Sequence, residues 1–160
     1  MNETSNAMSD VFSVDPNLPD WIREHTEQYL NSGGAEGHMW DRPDGSGPIP
    51  CLLLAAKGRR SGEWRTLPLI YGESDGAYVI VASKGGAKSH PAWYLNLDAN
   101  PDVQLMVGTD QFEATARTAE GAERDKLFAL MAKDFAPYLD YAVRAGGAGR
   151  QIPIVVLERK

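Results

Sequence analysis

Four cations and one anion fall within nine residues of this chain: Lys57, Arg59, Arg60 and Arg65 around Glu63, with Gly58 and Gly62 flanking the cluster. Arginine presents a planar fork of donors that matches phosphate or carboxylate, and a glycine-flanked turn lets backbone N–H groups approach an anion closely. That pattern points to capture of a small anionic ligand, with a solvated hairpin tip that merely collects charge as the alternative. A second cationic segment, Ser83-Lys84-Gly85-Gly86-Ala87-Lys88, follows an apolar run, and in an antiparallel meander the two basic loops could face one groove. Its glycines lack the spacing and the Lys-Ser/Thr pair of a nucleotide-hydrolase phosphate loop, and no Gly-x-Gly-x-x-Gly fingerprint for a nicotinamide cofactor occurs.

Other chemistries find no candidates. His25, His38 and His90 fall on different elements without cysteines or paired carboxylates at metal-ligand spacing, so no metal site is expected. There is no Gly-x-Ser-x-Gly elbow, and Cys51 has no neighbouring cation to activate it. An anion-binding groove with no protein nucleophile or base is the situation expected when a cofactor carries the chemistry and the protein orients it. Phe135, Tyr138 and Tyr141, at i, i+3 and i+6, share a helix side and could wall an apolar pocket with two hydroxyls as polar handles. Core packing is the competing reading, favoured for Phe135 and for Trp93, whereas for Tyr138 and Tyr141 the two stand level.

The whole-chain charge excludes one class of partner. With 16 Lys+Arg against 22 Asp+Glu the formal charge is −6 and the pI near 5.0, which argues against a nucleic-acid binder. The charge is unevenly spread: residues 1–56 carry 2 basic and 9 acidic groups, residues 57–90 carry 6 and 3, and residues 91–160 carry 8 and 10. The single cysteine allows no intrachain disulfide and suits a reducing, cytoplasmic setting, where Cys51 reads as buried filler. No apolar stretch reaches the roughly 18 residues of a membrane-spanning helix.

The 160 residues make one domain, and 42% hydrophobic content supplies an ordinary core. Ser5-Asn6-Ala7 before Met8 resemble the remnant of an expression tag. The expected organisation is a flexible, partly tag-derived leader at 1–18 and a single domain at 19–160. Within it, a helix runs from Asp20 to about Asn31 with Trp21, His25 and Tyr29 on one face, and residues 37–48 form a surface loop around Met39 and Trp40. Strands follow at 49–56, at 64–72 with a break at Pro68, and at 78–82 after the Ser74-Asp75-Gly76 turn. Pro91 opens a short helix to about residue 99. Val103, Leu105 and Val107, then Phe112, Ala114 and Ala116, alternate with polar neighbours as half-buried strands. Helices at 120–133 and 136–144 precede a last strand at 152–157. About six short strands joined mostly by turns, with peripheral helices, describe an α+β fold built on a small, mostly antiparallel barrel.

Taken together the motifs are recognisable. Ala56-Lys57-Gly58-Arg59-Arg60-Ser61-Gly62 with Arg65-Thr66-Leu67-Pro68-Leu69, then Val81-Ala82-Ser83-Lys84-Gly85-Gly86-Ala87, then the run from Pro91-Ala92-Trp93-Tyr94-Leu95-Asn96 to Pro101, and the ending Ile152-Pro153-Ile154-Val155-Val156-Leu157 resemble the deazaflavin (F420)-dependent nitroreductase family. The resemblance implies a split β-barrel that binds coenzyme F420 and passes hydride from its reduced form to quinones, nitro compounds or activated enones. It implies that Lys57, Arg59, Arg60, Arg65 and Lys84 hold the cofactor's phosphate and oligoglutamate tail. Thr66, Leu67, Pro68, Ala82, Ser83, Lys84 and Gly85 would border the deazaflavin ring, with Trp93, Tyr94 and Asn96 nearby. Tyr138 and Tyr141 match tyrosines that line the acceptor pocket, and Tyr138, Tyr141, Ser83 or solvent would deliver a proton.

Departures bear on the acceptor. Ile70 stands where a nitroimidazole-activating member has an aromatic residue, Leu67 replaces a polar side chain, and residues 142–150 look looser than the family's usual segment. The expected function is therefore an oxidoreductase acting on a small-molecule hydride acceptor. An FMN enzyme on the same barrel and a non-enzymatic cofactor-binding protein are the alternatives. A moderately amphipathic N-terminal helix leaves peripheral contact with the inner face of the membrane open.

Overall fold

The computed structural model describes residues 11–160, so most of the expected leader lies outside the described residues. Its elements follow in the order α1 (Asp20–Asn31), β1 (Met39–Asp41), β2 (Pro48–Lys57), β3 (Trp64–Ile70), β4 (Gly72–Ser74), β5 (Ala77–Val81), a 3-10 turn at Lys84–Gly86, α2 (Ala92–Ala99), β6 (Asp102–Val107), β7 (Asp110–Thr118), α3 (Gly121–Asp134), α4 (Pro137–Gly147) and β8 (Ile154–Arg159). Every ladder is antiparallel, and the strands run β1-β2-β6-β7-β8-β5-β4, with β3 on the other edge of β2. The curled sheet is a split barrel, as the sequence implies. The added strands, β1 and β4, are three residues each; segments that short carry too little alternation to be read from sequence.

Burial explains the sequence patterns. In β2, Leu52, Leu54 and Ala56 point into the barrel, while Leu53 and Ala55 pack outside it with Phe12, Tyr29 and Met106. With both faces covered, the strand must be apolar throughout. The strand β8 repeats this, Val155 and Leu157 inside and Ile154 and Val156 under α3 and α4. By contrast β7 buries only Phe112, Ala114 and Ala116 and leaves Glu113, Ala-flanking Thr115 and Arg117 outward, hence its clean period of two.

Three local features differ from expectation or sharpen it. Pro68 does not break β3, because β3 pairs with β2 alone and a residue without an N–H is tolerated on a free edge. The expected second strand ends at Ile70 instead of residue 72, and Gly72 to Ser74 pair back onto β5 through a turn with Asp75 at φ 51° and Gly76 at φ 79°. Phe12, from the expected leader, is buried against the barrel, and the Ser13 N–H donates to Thr66 Oγ1 at 3.1 Å. No helix among the described residues is long and apolar enough to cross a membrane.

Helix α1 is fixed to the barrel by one side chain. Tyr29 is fully buried, its hydroxyl lies 3.0 Å from the Cys51 carbonyl and 3.1 Å from that of Met106, and it accepts from the Gly108 N–H at 2.7 Å. Tyr29→Phe strands these backbone groups, at a cost of about 1–3 kcal/mol. Urea unfolding is expected to show that loss with an unchanged m-value; a loss under about 0.5 kcal/mol would mean water replaces the hydroxyl.

Candidate active site

Because β3 has one ladder partner and β5 pairs only with β4 and β8, the sheet stays open between them. A cavity of about 300 Å³ occupies this opening. Its wall takes Leu67, Pro68, Leu69 and Ile70 from β3, Val81 from β5 and Ser83 just after it, and Cys51 from β2. Helix α1 contributes Trp21, Ile22 and His25, β1 contributes Trp40, the C-cap of α3 contributes Phe135, and the first turns of α4 bring Tyr138 and Tyr141. All three aromatics thus meet the cavity, Tyr138 and Tyr141 from one helix face and Phe135 from the non-helical junction before it, although core packing is the sequence expectation for Phe135. Phe135 and Tyr138 meet edge to face at 4.9 Å.

The polar groups of this wall are few, and none is a carboxylate, lysine or arginine among the described residues. Tyr138 is 5% exposed, and burial pushes its phenol well above the ordinary tyrosine range. Burial likewise pushes the Cys51 thiol up to about 12, so it remains a protonated apolar filler at neutral pH. No lysine or arginine lines the cavity.

The remaining expected site residues stand around the cavity. Lys57, Arg59, Arg60 and Arg65 are exposed at the β2–β3 turn. Among the described residues only Arg65 of this set has a carboxylate partner, Glu63 at 3.5 Å, and Lys84 and Lys88 have none. Elsewhere Arg23, Arg117, Arg124, Arg159 and Lys160 are paired, whereas Arg42, Lys126, Lys133, Arg144 and Arg150 have no carboxylate partner among the described residues. Asn96 is buried and its Oδ1 accepts from the Arg59 backbone N–H at 3.1 Å and from Nη1 at 2.8 Å, so it shapes the cationic turn from beneath. Tyr94 is a core residue, its hydroxyl 2.8 Å from Thr118 Oγ1, and Trp93 packs half-buried on the same cluster. Thr66 is buried beside Ser13, and Ala82 is fully buried. The strands β3 and β5 do not pair; helix α2 links the two basic loops instead, holding the first through Asn96 and meeting the second where the Tyr94 ring lies 5.1 Å from that of His90.

The second loop is held from a place the sequence did not mark. Arg150 is 8% exposed; its Nε donates to the Ala87 carbonyl at 2.8 Å, Nη2 to Ser83 O at 2.6 Å, and Nη1 to Ala82 O at 3.2 Å and to His90 Nδ1 at 2.9 Å. One guanidinium therefore ties both ends of residues 82–90. Arginine has no acceptor, so His90 must keep Nδ1 unprotonated, and desolvation followed by the Arg150 charge lowers the His90 pKa. At the turn itself Lys84, Gly85 and Gly86 all have positive φ, and a Cβ on Gly86 would stand 2.6 Å from the Tyr141 carbonyl oxygen. Helix α4 thus packs directly on the loop, which couples Ser83 to Tyr141. The segment expected to be loose is helical through Gly147 and ends in this buried arginine. A lone arginine after a glycine-rich stretch carries no sequence signal of such a role.

The comparisons agree with this geometry. A family model described as F420H(2)-dependent quinone reductase matches residues 21–159. An F420H(2)-dependent quinone reductase of Mycobacterium tuberculosis is 37% identical over 142 residues, covering 87% of this chain and 90% of that protein. Among solved structures, an F420-H2 dependent reductase is 37% identical with a TM-score of 0.62, covering 76% of this chain and 98% of its own. A chain described as a domain-swapped dimer is 38% identical with a TM-score of 0.64, covering 87% and 98%. The chain belongs to the F420H(2)-dependent quinone reductase family, and is an oxidoreductase that uses coenzyme F420. The residues fit that cofactor: a flat apolar ring suits the cavity, and a polyanionic tail suits cations left without carboxylates.

Arg150→Met removes every bond of the clasp while keeping much of its volume. Hydrogen bonds to charged groups contribute about 1.5–3 kcal/mol each and share partners here, so a total loss of roughly 3 kcal/mol is expected. Hydrogen exchange should accelerate at residues 83–90 before it does in β2; uniform acceleration would make the clasp a global stabiliser instead. His90 adds a sign: with its folded pKa lowered, its contribution is complete above the ordinary imidazole value of about 6.5 and drains away as pH falls.

Proposed function

We propose that this protein reduces quinones with coenzyme F420 as its reductant, and that nitro compounds and activated enones are further acceptors limited by fit. The observation that carries this reading is the division of the site: an apolar cavity with Tyr138, Tyr141 and Ser83 in its wall, lined by the far end of the hairpin whose turn exposes a cluster of cations, of which only Arg65 has a carboxylate partner among the described residues. When bound, the reduced deazaflavin supplies a hydride. The chain's own part is binding, orientation and exclusion of water. Lys57, Arg59, Arg60, Arg65 and Lys84 hold the tail; Leu67, Pro68 and the Ala82–Gly85 loop border the ring, with Thr66, Trp93, Tyr94 and Asn96 supporting that border from behind. Tyr138, neutral and buried, donates a hydrogen bond to an acceptor oxygen, and Tyr141 and Ser83 lie on the two elements that Gly86 brings into contact.

An FMN enzyme would need one phosphate site, and six basic residues between 57 and 90 exceed that need. A cofactor carrier would bind equally and turn nothing over. The protein is proposed to work in the cytoplasm; Trp21, 58% exposed and stacked at 6.0 Å on Trp40, is the feature that would serve peripheral contact with a membrane.

Titration with oxidised F420, followed by fluorescence, is expected to saturate at micromolar cofactor, with FMN binding far more weakly; no binding, or preference for FMN, rejects the reading. The paired change Arg60→Ala and Arg65→Ala should weaken F420 binding about tenfold at low salt, with the difference shrinking as ionic strength rises. Tyr138→Phe should raise the quinone KM about three- to tenfold, the worth of one neutral hydrogen bond, while leaving cofactor affinity unchanged.

A further inference from the structure

His25 lines two cavities, one apolar and one that adds carboxylates to an aromatic and methionine wall. One is the apolar cavity of about 300 Å³ that holds Tyr138 and Tyr141. The other, of about 480 Å³, shares Trp21, His25 and Trp40 with the first and adds Glu24, Gln28 and Asp41. The imidazole is therefore reachable from the reacting space on one side and from an acidic space on the other.

Its hydrogen bonding fixes which nitrogen can work. Nε2 lies 2.7 Å from the Gly37 carbonyl oxygen, which can only accept, so Nε2 carries its hydrogen in either charge state. Nδ1 is left as the atom that takes up and releases a proton. The charged side chains lining the two cavities, among the described residues, are the carboxylates of Glu24 on its own helix and Asp41 on β1, and no lysine or arginine lines either. The other titratable neighbours are Tyr29, its ring 6.3 Å away, Cys51, Tyr138 and Tyr141. Burial raises the pKa of Tyr29, Cys51 and Tyr138, so these three stay protonated at neutral pH. Imidazole is the side chain that exchanges protons near neutrality.

We propose that His25 is the proton donor of the reaction, relaying protons from the outer acidic cavity to an acceptor in the inner apolar one. This rests on the quinone-reducing function proposed above. Two electrons and one hydrogen delivered to a quinone leave a hydroquinone anion one proton short of the quinol. The Nδ1–H bond of the imidazolium breaks, an O–H bond forms at the anionic oxygen, and the ring is left neutral. A proton carried by water in the outer cavity then restores the imidazolium. No further oxidant or reductant is required.

The donor is the protonated ring, so kcat is expected to fall as pH rises through its titration. In His25→Gln the side-chain amide still donates to Gly37 O but cannot carry the proton. This variant should bind oxidised F420 within about twofold of wild type, reduce menadione roughly 100-fold more slowly, and lose the alkaline fall in kcat. Glu24→Gln with Asp41→Asn removes two negative charges from the outer cavity, so the fall in kcat should move to lower pH. In the cofactor-free protein the same pair should move the midpoint of the His25 ring ¹⁵N shifts to lower pH, with Nε2 remaining the protonated nitrogen of the neutral ring. A His25→Gln profile parallel to wild type overturns the proposal. Should that variant fail to fold, an unmoved kcat profile and ¹⁵N midpoint in the double variant overturn it instead. Wild-type protein that binds F420 but reduces no quinone rejects the functional reading; turnover indifferent to His25 rejects the proton donor alone.

Discussion

The free edge of β3 is the constraint from which the site follows. A hydrogen bond ladder between β3 and β5 would close the barrel and fill the space with side chains from both strands. Instead β3 pairs only with β2, and the gap is walled by elements recruited from far along the chain: α1 from one side, the Ser83 loop from another, α4 from a third. Pro68 helps keep that edge free, since it offers no N–H to a would-be partner strand. The residue that looks like a flaw in a strand is thus one that leaves room for a ligand.

An opening in a sheet has to be kept in shape, and polar clasps hold the covering elements here. Tyr29 holds α1 through three backbone groups, Arg150 holds the loop at residues 82–90 through three carbonyls and His90, and Asn96 holds the cationic turn through Arg59. Apolar packing alone is nondirectional and would let these elements slide. Each clasp spends one buried polar side chain to fix a loop whose own backbone has no ladder to satisfy it. The reacting space can then stay apolar, because the polarity that positions it is placed behind the wall.

This division also explains what the sequence revealed. The strands were legible because burial imposes period two on β7 and two-sided apolarity on β2 and β8. The cationic turn was legible because charge clusters are visible without a fold. The face shared by Tyr138 and Tyr141 was legible as a helical stripe, though not that Phe135, at the junction before the helix, would meet the cavity as well. Trp40 and Arg150 were not, because their roles depend on contacts across long sequence separation: Arg150 reaches back more than sixty residues to Ser83. A three-residue strand such as β1 is likewise created by its partner, pairing only with Pro48, Ile49 and Pro50 at the start of β2. Tyr94, a motif residue expected near the cofactor ring, packs in the core with its hydroxyl on Thr118.

Charge separation along the β2–β3 hairpin gives the arrangement its chemical sense. Its turn carries the cations, where water screens them and a flexible anionic tail can exchange partners at little cost. Its far end, from Leu67 to Ile70, lines a cavity that takes no lysine or arginine among the described residues. Placing an arginine there would stabilise an anionic acceptor before and after reduction alike, and would also hold down the pKa of any donor beside it. The groups in the wall that can carry a proton are two phenols, a thiol, a hydroxyl and one imidazole, and no permanent counterion stands among them in the described residues. The acidic surplus of the chain outside residues 57–90 is consistent with the same separation, since it leaves that window, with its two cationic loops, as the stretch of net positive charge.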